Sequence, residues 1–115
     1  MKISTSVISS GITLVSLSGS LDANGADSID MEMRKVARCG TNIAVDLSEV
    51  DYITSQGVRI LMMTAKTAAA DHNKLFLIGP NPSIYKVLSI MGVDKVLGIF
   101  GTVDAINAGG LPEKE

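Results

Sequence analysis

The sequence predicts a single α/β domain, and three observations carry that prediction. Two short β-patterned runs open the chain, helical and strand patterns then alternate to its end, and 115 residues suffice for one hydrophobic core but not two. A hairpin followed by crossover helices gives a mostly parallel sheet with right-handed connections, one antiparallel edge and about four helices. The domain is expected to span residues 1–108, with 109–115 as a loose tail.

Ile3, Thr5 and Val7 alternate with serines, Ser9, Ser10 and Gly11 supply a turn, and Ile12 to Leu17 resumes in β-branched and apolar residues. Ile3 to Leu21 carries no charge, but seven serines, two threonines and two glycines interrupt it, so it reads as strand and not as a membrane span. Ala26, Ile29, Met33 and Val36 recur at helical spacing. Acids (Asp27, Asp30, Glu32) precede bases (Arg34, Lys35, Arg38) in this first helix, the order that complements its dipole, and Gly40 ends it.

Ile43 to Leu47 is a short apolar run suited to a central strand covered on both faces. A loop with acids and hydroxyls then leads into a second helix, from Gln56 to about Asp71, with Val58, Leu61, Met62, Ala65, Ala68 and Ala69 inward. Arg59, Met63, Lys66 and Ala70 make its other face, either a surface that tolerates a methionine or a partner-binding face. Leu75 to Ile78 is the next strand. Asn81 and Pro82 then supply the cap and first position of a helix whose core stripe is Ile84, Val87, Leu88 and Met91, and Gly92 stops it. Leu97 to Phe100 is the last strand, and Thr102 to Asn107 a short closing helix.

Several function classes drop out. Aromatics make up 3% of the chain, Trp is absent and the net charge is −2, which leaves nucleic acid neither stacking platforms nor a basic field. Cys39 stands alone, with no metal-ligand spacing near it, so no metal or cofactor is expected and a reducing cytoplasm is the natural compartment. The one histidine, His72, falls at the far end of the second helix, about 25 Å from its start, too far to activate a hydroxyl there. Thr54-Ser55-Gln56-Gly57 lacks the flanking glycines of a nucleophile elbow. Asp46, at the end of the central strand, would suit a phospho-accepting receiver, but Ser9-Ser10-Gly11 stands where a receiver holds its metal-binding acids. Asp46 therefore reads as a loop cap or a support for the nearby hydroxyl. No catalytic residue is assigned.

The informative residue is Ser55, just ahead of the second helix. It reads as an N-cap or as a phosphorylation site, since a phosphate there would lie over free N–H groups at the positive end of the dipole. Gly57 reads as a permissive helix start or as room for close approach by a backbone or phosphoryl donor.

Gly19-Ser20-Leu21-Asp22, then Asp46-Leu47-Ser48-Glu49-Val50-Asp51-Tyr52-Ile53-Thr54-Ser55-Gln56-Gly57-Val58, then Gly92-Val93-Asp94-Lys95-Val96 resemble the STAS domain of bacterial anti-sigma factor antagonists, over nearly the whole chain. The resemblance implies a partner switch. The unphosphorylated domain binds an anti-sigma factor serine kinase, the kinase phosphorylates the serine matching Ser55, and a metal-dependent serine phosphatase resets it. It also implies binding through Asp22 and through the second helix and its approach, here Thr54, Ser55, Gln56, Gly57, Arg59, Met63 and Lys66, with neither nucleic acid nor membrane insertion. Thr54 and Gln56 replace the family's usual Asp before the acceptor and small hydroxyl residue after it. Thr54 thus becomes a second acceptor candidate. The alternative is a non-switching scaffold, or a small subunit of a signalling or lipid-transport complex.

Overall fold

The structure, a computed structural model, describes residues 1–8 and 11–102. Strands β1 (Lys2–Val7) and β2 (Thr13–Leu21) form the opening hairpin. Helix α1 (Ala23–Ala37), strand β3 (Ile43–Ile53), helix α2 (Ser55–Ala70), strand β4 (Leu75–Ile78), helix α3 (Pro82–Ile90), a 3-10 turn (Val93–Lys95) and strand β5 (Gly98–Phe100) follow. The five strands lie in chain order in one sheet, β1 antiparallel to β2 and every later pair parallel. The predicted architecture holds. Three α-helices lie among the described residues, and the expected closing helix and the tail at 109–115 fall outside them after Thr102.

One face of the sheet carries the main core. Val15, Leu17, Val45, Leu47, Leu77 and Ile99 meet Ile29 and Met33 of α1, Val58 and Leu61 of α2, and Ile84 and Leu88 of α3. A smaller cluster of Ile12, Ala44 and Ile78 includes no residue of these helices. Central strand β3 is buried from Ile43 to Val45 on both faces, as its unbroken apolar run requires.

Strand β3 is longer than its sequence pattern suggests. The residues read as a loop, Ser48 to Ile53, continue the strand against the end of β2, while pairing with β4 stops at Asp46. Two register shifts lie in this stretch, each giving β3 one more residue than β2. They are β-bulges, and they space the buried positions Leu47, Val50 and Ile53 every third residue. An acid sits at each. Asp46, in mid-strand and not at its end, accepts the Ser48 N–H at 2.9 Å, and Asp51 accepts the Ser20 hydroxyl at 3.1 Å.

The helices differ from expectation in detail. Asp22 and Asn81 cap α1 and α3, each accepting a backbone N–H at 2.8 Å, from Gly25 and Ile84. In α2, Ile60 and Thr64 are buried and Ala69 is exposed, because α1 packs along this flank and turns the inward stripe. Helix α3 ends at Ile90, so Met91 lies beyond its last turn and is exposed, and Tyr85 is buried instead. Cys39 is exposed beside the Thr41 and Thr13 hydroxyls at 3.2 and 3.5 Å. Partial burial pushes its thiol up, but the hydrogen bonds outweigh this and hold it below the usual cysteine value.

Candidate functional site

The site forms where β2 and β3, paired to their last residues Leu21 and Ile53, release α1 and α2 side by side. The Thr54 N–H donates to the Leu21 carbonyl at 3.1 Å, which fixes the start of α2 against the end of β2. Parallel strands followed by crossover helices bring both helix N-termini to the same end of the sheet, where open α/β folds gather ligands.

The cap of α2 is Thr54, one residue earlier than the hydroxyl singled out by sequence, with extended backbone at φ −119° and ψ 176°. Ser55 is the first helical residue, so the N-cap reading of Ser55 gives way. Its side chain is exposed, and its hydroxyl donates to the Gln56 side-chain carbonyl at 3.3 Å. Among the described residues no side chain caps α2, so the N–H groups of its first turn lack the partner that Asp22 gives α1.

Thr54 behaves unlike an ordinary cap. Its Oγ1 is buried and has no hydrogen-bond partner among the described residues. Of the two hydroxyls, that of Ser55 is therefore the accessible one. A buried hydroxyl without a partner destabilises, so Thr54→Val, which keeps the shape and removes the polar group, is expected to raise stability by about 1 kcal/mol. A thermal melt measures this, and a loss of similar size would show that the hydroxyl does cap the helix.

Gly57 faces inward. It is buried, and a Cβ at its position would press on the Leu21 carbonyl oxygen and come within 2.7 Å of Leu21 Cγ. The backbone that needs the missing Cβ belongs to this chain, so Gly57 lets the start of α2 lie close against the end of β2. Gly25 in α1 stands in the same relation to the Ser20 carbonyl.

The structure brings the remaining predicted contacts together. Ser55, Arg59, Met63 and Lys66 are all exposed and recur at intervals of four, four and three, a single stripe on α2, with Gln56 beside it. Asp22 is half-buried at the rim, with Oδ1 engaged in its cap. His72 is exposed beyond the C-terminus of α2, a helix length of about 24 Å from Ser55. Sequence reasoning missed Glu49, Asp51 and the largely exposed Tyr52, which the bulged end of β3 carries beside the helix start. Their signal was the three-residue spacing of Leu47, Val50 and Ile53, which suits neither a helix nor a regular strand.

Residues 6–99 match the family model described as "Mlab, STAS domain". The chain is similar to BtrV of Bordetella bronchiseptica, named as a candidate anti-sigma factor antagonist, at 25% identity over 99 residues covering 85% of each chain. A solved structure of a candidate anti-sigma factor antagonist from Thermotoga maritima superposes with TM-score 0.84 at 16% identity, covering 93% of this chain and 92% of that one. The Bacillus cell fate determinant SpoIIAA in its phosphorylated form superposes with TM-score 0.70 at 18% identity, covering 93% and 98%. At such identities the two structures speak for the fold alone.

Proposed function

The chain belongs to the STAS domain family, and from that membership we propose that it is an anti-sigma factor antagonist acting by partner switching. Unphosphorylated, it binds an anti-sigma factor serine kinase through the start and exposed stripe of α2. The kinase moves the γ-phosphoryl group of ATP to Ser55 Oγ, the hydroxyl proton passes to a base of the kinase, and ADP leaves. A serine phosphatase restores the hydroxyl with water. This chain supplies the acceptor and the docking surface, with no catalysis of its own, and we place the exchange in the cytoplasm. No helix among the described residues is long and apolar enough to cross a membrane.

The observation that carries this reading is the exposed Ser55 hydroxyl in the first turn of a helix that no side chain caps. A phosphate there gains the helix dipole and free N–H groups, so the domain tolerates it. A docked partner meets about two added negative charges in a desolvated contact, and is repelled. The fold is kept while the complex is lost.

The test is incubation with ATP and each purified anti-sigma factor-type serine kinase of the source organism, followed by peptide mapping. Phosphate on Ser55 together with a weakened complex is the expected result. A stable complex without phosphate would favour the second reading, a non-switching subunit of a signalling scaffold or lipid-transport complex. That reading draws on Gln56, which accepts a hydrogen bond from the Ser55 hydroxyl, and on Thr54, which stands where the family resemblance implies an acid.

A further inference from the structure

Helices α1 and α2 leave an open groove between them. Its upper part is walled by Asp27, Gln56 and Arg59 and its lower part by Met33, Arg38 and Met63, and both parts share Asp30, Arg34 and Ile60, so the groove is continuous. It follows α1 for its length of about 22 Å and begins beside Ser55, whose hydroxyl bonds to Gln56. A groove this long and open suits a peptide segment.

Its lower end carries Arg38 beside apolar surface, and its upper end sets Arg59 with Asp27. Met63, more than half exposed, offers the apolar surface, above a floor to which the largely buried Ile60 contributes an edge. Arg34 is neutralised by Asp30 at 3.0 Å. Arg38 at the lower end and Arg59 at the upper end have no ion pair among the described residues, and Asp27 is the one unpaired acid of the lining. On a chain of net charge −2 this is a local excess of positive charge.

We propose that this groove seats an acidic amphipathic segment of the anti-sigma factor, its apolar side chains on Met63 and its carboxylates on Arg38 and Arg59. The inference rests on the partner-switching reading and adds α1 to it as the second wall of the interface. Continuity with Ser55 and the two arginines without an ion pair favour this occupant. It also gives the switch its direction, since a phosphate on Ser55 would face the acidic end of the seated segment.

The test measures affinity for the anti-sigma factor-type serine kinase of the source organism that binds the wild-type chain, at low and high salt. The variants are Ser55→Asp, Met63→Asp, Arg38→Glu alone and the pair Arg38→Glu with Arg59→Glu. All change exposed residues, and thermal melts check that each folds. Lys35→Glu, outside the groove lining, is the control. Met63→Asp and the arginine pair are each expected to weaken binding at least tenfold, the pair also flattening the salt dependence, while Lys35→Glu binds as wild type. Arg38→Glu alone, which changes only the α1 side of the groove, is expected to weaken binding several-fold; Arg38→Glu within twofold of wild type, with binding lost in Ser55→Asp, would overturn the groove and leave the switch. Wild type that binds no such kinase overturns both. A free chain that sediments as a dimer and is dissociated by Met63→Asp would assign the groove to a second copy and overturn the proposal.

Discussion

Gly57→Ala is expected to lower stability by about 2–3 kcal/mol and Tm by roughly 10–15 °C, although alanine is the better helix former by about 1 kcal/mol. The added methyl has nowhere to go. It would meet the Leu21 carbonyl oxygen, Leu21 Cγ at 2.7 Å and Ile53 Cγ1 at 3.1 Å, and the first of these is backbone already bonded to the Thr54 N–H. Relief requires the first turn of α2 to move off the end of β2. Leu21→Ala in the same background removes the side-chain clash but leaves the carbonyl, so it should not restore the loss. Calorimetry decides, and a Gly57→Ala melt within 2 °C of wild type would sink the account.

Ser55→Asp is expected to weaken kinase binding by roughly 100-fold, about 2.7 kcal/mol, while Tm stays within about 2 °C. The two effects separate because Ser55 is not the cap. Its hydroxyl bonds to Gln56 alone among the described residues, and a carboxylate in the first turn of a helix gains about 0.3–1 kcal/mol from the dipole. The partner, by contrast, would bury a charge it cannot pair. Ser55→Asn, neutral and of the same shape as Asp, separates charge from size. If it binds as poorly as Ser55→Asp, steric exclusion and not charge governs the contact, and the switching account fails at this step.

Much of the fold was legible because the deciding signals are local. Asn81 and Pro82 announce a helix start by backbone chemistry alone, and both stand where the sequence placed them. The order of hairpin, helix and strand fixes a parallel sheet with one antiparallel edge through the handedness of crossovers. What was not legible depended on neighbours. Thr54 and Ser55 carry the same functional group, and only the backbone angles, set by the Leu21 carbonyl, decide which one caps α2. Gly57 looks the same in sequence whether a partner or its own chain approaches it. Ile60 and Thr64 are buried by α1, a contact that no pattern within α2 contains.

The two bulges of β3 act as one device. In a regular strand, one inserted residue reverses the phase of every side chain after it. The first bulge does this, which is why Val50 faces the core in place of its neighbour Glu49. The second restores the original parity, so Ile53 points where uninterrupted alternation from Leu47 would have put it. Helix α2 therefore leaves on the side of the sheet that the main core occupies. Deleting a single residue from Ser48–Asp51 would invert that exit, whereas deleting one residue at each bulge would keep it. The position of Ser55 is thus set by an even count.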